Sequence, residues 1–451
     1  MAEPFDVAIV GGGPAGQAAA LRLDALGLSV AVIDEQPRPG GQILRQPPAT
    51  YHVDDWMADR IYSPLRDQLA HFEGASGLSW LGGRSVLGVT KRGDGGFRLT
   101  TSSSDGVDRI ESRLVLIAAG CQDLAVPLPG WTLPGVYAAG GLQAFLKSQR
   151  ILPGERLVLA GTHPLQLVIA AQVVMAGGTV EAVLFAQPLA RMAAVVASAP
   201  WVAAGHVGQL WPAVMALREL RRRGVPIWFG APVERIVGEH RVEGLSAAGR
   251  TFVCDTVGLC FGFVPQSALP RMAAARMCPA GPAGGWAAIH DCWMRSTVSG
   301  LFVAGETMGV AGAPAAMAAG EIAGAGMALE LGVIDAAAAE RLSAGARRRH
   351  ARHLRFARLL DEVADPRRHF PALDGDTLVC RCEDVPFDRI APLLGDRSAN
   401  GIKLVTRCGM GPCQGRNCEP TLLRLLGDSG DAGFAARFPA RPATIADLAE
   451  A

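Results

Sequence analysis

The sequence predicts an α/β chain: two nucleotide-binding-type βαβ domains, the second inserted into the first, followed by a small cysteine-rich domain. Three observations carry this. A glycine-rich turn joins a buried strand to an alanine-rich helix at the amino terminus. A second strand–turn–helix–strand unit begins near Arg156. Five of the ten cysteines crowd into the span Cys380 to Cys418.

The first unit is DVAIVGGGPAGQAAALRLDALGLSVAVIDE, with a buried strand over Val7–Val10, a helix after the turn and a second strand over Val30–Ile33. Gly11, Gly13 and Gly16 stand at G-x-G-x-x-G spacing, with Gly12, Pro14 and Ala15 between them. Gly11 permits the tight turn, Gly13 lets backbone approach a pyrophosphate, and Gly16 lets helix and strand pack closely. The helix N-terminus then favours phosphate charge. Asp34 follows Gly11 by 34 − 11 = 23 positions, at the end of the second strand, where a carboxylate can accept from a ribose. Glu35 and Gln36 come next, and PRPGGQ adds a Gly40-Gly41 turn with Gln42 just beyond.

Short strands around Arg84–Thr101 with a GDGG hairpin lead to RLVLIAAG, whose end places Ala119 and Gly120 beside the same turn. The second unit, Arg156–Phe185, repeats the order, followed by a meander over Val233–Phe252 and a strand over Asp255–Pro265. The chain then returns to the first domain with SGLFVAGETMGVAG, a strand ending in Gly305 and Glu306 before a small-residue helix. The expected domains are 1–150 with 266–335 for the first, 151–265 for the second, an arginine-rich helical connector over 336–370, and a cysteine domain over 371–451.

An early glycine loop joined to a late G-x-F-x-x-G-E resembles FAD proteins of the two-dinucleotide-binding, glutathione-reductase-like class, over Phe5–Leu331. The resemblance implies FAD as the first cofactor, with Gly305 and Glu306 at the ribityl chain. The second loop departs from this pattern. AGTHPLQ keeps Gly161 and Pro164 but puts His163 at the second glycine and Gln166 near the third, and the following strand ends in Ala186-Gln187 with no acid for a ribose. A side chain at His163 occupies space that a pyrophosphate contact needs, which argues against NAD(P)H. No C-x-x-C lies near either half, so the dithiol relay of a thioredoxin reductase is missing.

In CRCEDV and TRCGMGPCQGRNC, the pairs Cys380/Cys382 and Cys413/Cys418 can converge from two loops, while Gly409, Gly411 and Gly415 let N–H groups approach sulfur. These four are the candidate metal ligands, with Cys408 a neighbour. A disulfide framework is disfavoured because a C-x-C pair closes a very tight ring. Structural zinc is the rival to iron–sulfur, since four cysteines also suit a tetrahedral site. Cys121, Cys254, Cys260, Cys278 and Cys292 read as small core residues.

Lys+Arg 43 against Asp+Glu 42 leaves a formal charge of +1, so no global field attracts nucleic acid or an acidic membrane. No apolar window reads as an integral membrane segment, and free thiols with no secretory segment suggest a cytoplasmic protein.

Taken together, the FAD motifs, the degenerate second loop and the CRCED…GMGPCQGRNC tail resemble the alpha (A) subunits of bacterial heteromeric flavin-dependent amino-acid and opine dehydrogenases. This group includes opine oxidases, D-hydroxyproline and dye-linked L-proline dehydrogenases, hydrogen cyanide synthase and the corresponding part of sarcosine oxidase alpha. The tail is similar to a bacterioferritin-associated-ferredoxin-like [2Fe–2S] domain, whose pattern has a non-ligand residue where Cys408 stands. The resemblance implies an electron-transfer role. A beta subunit similar to D-amino-acid or glycine oxidases oxidises the C–N bond of an opine, D-hydroxyproline or related amino acid. A further small subunit and an FMN at the subunit interface are also implied by analogy. The sequence alone nominates no catalytic residue; His290-Asp291 reads as a structural pair. The competing reading is a self-sufficient NAD(P)H-dependent ferredoxin or disulfide-type reductase.

Overall fold

Phe5–Val10 and Val30–Asp34 are aliphatic runs buried on both faces, as a parallel strand covered by helices must be. In the computed structural model, which describes residues 3–54, 56–57, 60–427 and 430–450, they lie parallel inside a seven-stranded sheet. Its order is Leu78–Gly82, Val30–Asp34, Phe5–Val10, Gly106–Ile117, Phe97–Ser103 and Ser85–Lys91. The first half of Gly106–Ile117 pairs antiparallel with Phe97–Ser103. Its second half runs parallel to Phe5–Val10 and to the late strand Leu301–Val303. The returning chain is thus delivered next to the first glycine loop.

Helices Pro14–Asp24 and Ala313–Glu330 pack together on one face of this sheet, over Val7, Ile9, Val30 and Val32. Their small residues set the distance of approach. A Cβ on Gly320 would collide with the Ala15 carbonyl, and one on Gly324 would stand 3.0 Å from Arg22 Cβ.

The second domain has a five-stranded, all-parallel sheet ordered Ile227–Phe229, Thr179–Phe185, Arg156–Gly161, Thr256–Cys260 and Val136–Ala138. The last strand precedes the expected boundary at residue 151. Its partner, Thr256–Cys260, is fully buried and needs a neighbour on that side, which the incoming chain supplies. A two-stranded ribbon of Cys121–Asp123 and Phe263–Pro265 carries the chain between the domains.

Asp335 caps the connector helix, Ala336–Ala364, by accepting from Ala338 N at 2.7 Å. The cysteine domain is a short hairpin, Leu378–Cys380 with Val385–Pro386, and helices Ala399–Thr406 and Glu419–Leu426, around Val379, Val385, Ile390, Ile402, Leu422 and Phe434. It docks on the first domain through Arg271, which donates to both Glu419 oxygens at 3.0 Å and to the Ala432 and Phe434 carbonyls. Glu419 also accepts from Phe434 N at 2.6 Å. Trp131 Nε1 donates to the Leu378 carbonyl at 2.8 Å from the second domain.

Removing one member of a largely buried ion pair leaves the other uncompensated. Glu419→Gln should therefore weaken docking by about 3 kcal/mol. The expected readout is faster proteolytic release of the 371–451 segment, with most of the resistance restored in an Arg271→Met/Glu419→Met double variant.

Candidate dinucleotide site and cysteine cluster

The first glycine turn is built as its spacing requires. Gly11 has φ +109°, and a Cβ there would collide with the Ala118 carbonyl; a Cβ on Gly16 would collide with the Gly11 carbonyl. Gly13 is different. The nearest atom to a Cβ at Gly13 is Gly41 Cα at 3.7 Å, so the chain leaves that face open for a ligand. Pro14 opens the helix and Ala15 lies beneath Gly305, whose φ is +66° and whose Cβ would stand 2.9 Å from that of Ala15.

Around this turn the structure gathers the other sequence-predicted residues. Gly40 N donates to the Gly12 carbonyl at 3.0 Å, which seats Gly41 (φ +62°) against Gly13. Gln42 accepts from Arg45 at 3.3 Å on the exposed side. Asp34 is committed to the loop itself: Oδ2 accepts from Gly12 N at 2.6 Å and Oδ1 from Gln36 N at 2.7 Å. Burial pushes its carboxyl up, and those two amides pull it back. Glu35, the next residue, pairs with Arg441 of the carboxy-terminal segment. Ala119 N lies near Gly11, and Gly120 turns the chain at φ +76°.

Glu306 is half-buried, and desolvation raises its carboxyl. Its Oε2 accepts from Cys121 Sγ at 2.8 Å and its Oε1 from Gly312 N at 3.2 Å. Cys121 therefore faces the dinucleotide site, although its apolar neighbours in the sequence suggest a core residue. Cys278 and Cys292 are exposed, so they too fall outside the core; Cys254 and Cys260 are buried as expected. Lys147, which the sequence does not single out, is buried in a π-helical turn at Phe145–Gln149. It donates to the Ile43 carbonyl at 3.1 Å and to Gln143 Oε1 at 2.8 Å, and burial lowers it to about 7. Asp291 holds a turn by accepting from Trp293 N and Arg295 N, and His290 contacts its carbonyl.

The second loop is filled by protein. His163 is half-buried, accepts from Leu165 N at 3.2 Å, meets Phe263 edge-on at 5.4 Å and is lowered to about 4 by desolvation. Gln187, at the position of a ribose acid, donates to the Thr162 carbonyl at 2.7 Å and to the Val363 carbonyl at 2.8 Å. The end of the connector helix is thereby pinned across the loop.

In the cysteine domain the sulfurs of Cys380, Cys408 and Cys418 lie within 4.8 Å of one another, all buried. Cys382 and Cys413 form an adjoining pair whose thiols interact with each other, and Cys382 also feels the charge of Cys380. Thus Cys408 is inside the thiol group rather than beside it. Cys408 and Cys418 donate toward Cys380, which draws that thiol far below its ordinary range; the same contact pushes Cys408 up to about 12. These three buried thiols and the adjoining Cys382–Cys413 pair offer a donor set for a cation, because a bound metal replaces the protons that such crowded thiols otherwise carry. Gly409 N approaches Cys380 Sγ at 3.5 Å, and a Cβ on Gly411 would collide with that of Cys382. Gly409 and Gly415 both lie under the Phe434 ring.

Fold and glycine turn together define a two-dinucleotide-binding flavoprotein. The sequence model of the pyridine nucleotide-disulphide oxidoreductase family matches residues 5–320. Over nearly its full length the chain is 35% identical to an opine oxidase subunit from Rhizobium meliloti (strain 1021), covering 99% of this chain and 98% of that one. It is 30% identical to the HcnB subunit of hydrogen cyanide synthase from Pseudomonas aeruginosa, covering 96% of each. The chain belongs to the pyridine nucleotide-disulphide oxidoreductases, within the group that holds these opine oxidase and HcnB subunits. Among solved structures, L-proline dehydrogenase from P. horikoshii has the same fold, with TM-score 0.69 at 20% identity over 99% of this chain and 79% of that one.

Gly13→Val should fill the open face without disturbing the protein contacts around it. Flavin absorbance in the purified protein is expected to fall at least tenfold, with far-UV circular dichroism unchanged. Full flavin content in that variant would place the ligand elsewhere.

Proposed function

We propose that this chain is the electron-transferring subunit of a heteromeric amino-acid dehydrogenase or oxidase, holding FAD at the first glycine turn and a [2Fe–2S] cluster in the cysteine domain. The observation that carries this reading is the strand Cys121–Asp123. Successive residues of a strand point to opposite faces. Cys121 meets Glu306 on the dinucleotide side, while Gln122 donates at 2.8 Å to the carbonyl of Arg416, between Cys413 and Cys418. Gln266 Nε2 holds Gln122 in place at 3.0 Å. Adjacent residues of one strand therefore touch residues that border each of the two proposed cofactor sites.

The residues present fit both groups. Gly11–Gly16 and the amino end of Pro14–Asp24 would hold the pyrophosphate, Asp34–Gln36 the ribose end, Gly41 and Gln42 the adjoining turn, and Ala119, Gly120, Gly305 and Glu306 the ribityl side. The proposed cluster ligands are Cys380, Cys382, Cys413 and Cys418, with Cys408 a fifth thiol lining the site. Bound there, a flavin accepts an electron pair and an iron–sulfur cluster passes electrons singly, which suits a relay. The chain's own task is to hold the two groups close and keep water from the path. The half-buried Cys121–Glu306 contact and the largely buried Arg271–Glu419 pair serve that end.

Substrate oxidation is assigned to a partner subunit. The relatives are named as subunits of opine oxidase and hydrogen cyanide synthase, and a shorter match over 41% of the chain reaches the alpha subunit of sarcosine oxidase from Rhizobium meliloti (strain 1021). An opine or related secondary amino acid is the corresponding substrate class. Against the NAD(P)H-dependent alternative stands the connector, pinned through Gln187 across the second loop.

Anaerobic mixing of the isolated chain with NADH should leave the flavin spectrum unchanged over minutes; rapid bleaching would overturn the reading. Iron and acid-labile sulfide should be near two per chain, whereas zinc with no visible absorption would remove the cluster. Cys382→Ser and Cys413→Ser should each abolish the cluster spectrum with flavin retained, while Cys408→Ser keeps it.

A further inference from the structure

The crossover from Thr179–Phe185 to Ile227–Phe229 carries three helices, Leu189–Ser198, Pro200–Gly205 and Val207–Arg222, where one suffices to join parallel strands. The first two bury no residue. Val207–Arg222 has two apolar faces. Ala216 and Leu220 face inward, whereas Val207, Trp211, Val214 and Met215, at i, i+4, i+7 and i+8, form a stripe on the opposite side. That stripe is in solvent: Trp211 is 57% exposed, and Trp201, on the preceding helix, is 87% exposed. Two outward tryptophans on successive helices, one of them within a four-residue apolar stripe, mark an interaction site rather than scattered surface residues.

The face is held firmly from behind. His206 is buried, bonded to the Val202 carbonyl at 2.7 Å and stacked on Phe356 of the connector at 4.9 Å. Gln209 meets His353 at 3.2 Å. One turn along, the same connector presents Leu354, Ala357, Arg358 and Asp361 to a cavity of about 160 Å³, whose other wall is Gly305, Glu306 and the loop Gly309–Gly312. The crossover helices that carry the apolar face and the flank of the proposed flavin site therefore lie against two sides of the connector helix.

Its charge selects the occupant. Along Leu189–Arg223 the ionisable side chains are Arg191, Arg218, Arg221, Arg222, Arg223, the buried His206 and one acid, Glu219, which pairs with Arg222 and Arg223. Arg218 and Arg221 are exposed, and among the described residues no carboxylate pairs with them. A second copy docking by a two-fold axis would set this basic rim against itself. An acidic-rimmed partner is attracted.

We propose that the outward face of the Leu189–Arg222 crossover is the docking surface for the dehydrogenating partner subunit, which presents an apolar centre with a carboxylate rim. The proposal rests on the heteromeric reading above and adds the surface at which the complex closes. Trp201 and Trp211 are its anchors, and Arg218 and Arg221 steer the approach.

The test co-expresses the tagged chain with the product of the adjoining reading frame, and compares wild type with Trp201→Asp/Trp211→Asp and Arg218→Glu/Arg221→Glu. The tryptophan variant is expected to bind its partner at least a hundredfold more weakly, with flavin spectrum and circular dichroism unaltered. The arginine variant should associate more slowly, by roughly tenfold at low salt, with the difference shrinking as salt rises. Undiminished capture by the tryptophan variant overturns the surface but leaves the heteromeric reading intact. A wild-type chain that captures no partner, or oxidises an amine unaided, overturns both. A homodimer by light scattering that the tryptophan variant dissociates, with partner capture preserved, assigns the face to a second copy and also overturns the proposal.

Discussion

Arg271 leaves the first domain and finds in Glu419 a carboxylate one residue past Cys418, and the relation between the two proposed redox sites depends on that pair. Burial raises the Glu419 carboxyl while the guanidinium pulls it down, so neither group is stable there without the other. The same guanidinium collects the Ala432 and Phe434 carbonyls, and Phe434 in turn roofs Gly409 and Gly415. One side chain thus fixes the cysteine loops against the flavoprotein body. Gln122 and Trp131 then complete the seam with neutral hydrogen bonds, which align the surfaces but carry less of the energy.

The two nucleotide-type domains answer the same geometrical problem differently. In the first, backbone is bared: Gly13 keeps its outward face free, and the neighbouring turn comes only as close as Gly41 allows. In the second, side chains fill the corresponding space, with His163 in the turn, Gln187 at the strand end and the connector helix across both. A domain whose nucleotide loop is occupied by its own side chains can serve as scaffold. Here it carries an enlarged crossover whose apolar face is not used by its own core, while the connector behind it borders the proposed flavin pocket.

Small residues are as consequential as charged ones. Ala15, Gly320 and Gly324 bring two helices into contact close enough that Gly305 sits over the start of the first helix. That places Glu306, delivered by the returning strand, beside Cys121. The site is therefore assembled from segments some three hundred residues apart by contacts that any larger side chain would break.

Much of this was legible in the sequence because its signals are local. The G-x-G-x-x-G turn, the buried strands on either side of it, the late GLFVAGE segment and the missing glycine at His163 each state a backbone requirement within a few residues, and the fold follows. The cysteine spacing likewise announced a donor set. What the tertiary structure alone decided are matters of which surfaces meet. Asp34 binds its own loop amides, Cys121 turns toward Glu306, Cys408 enters the thiol group, Val136–Ala138 joins the second sheet, and the stripe led by Trp211 points outward although its pattern is that of a core helix. No local pattern encodes these, because apolar periodicity reports that a face is to be covered, and thiol spacing that sulfurs are near, while the partner in each case is chosen by packing between distant segments.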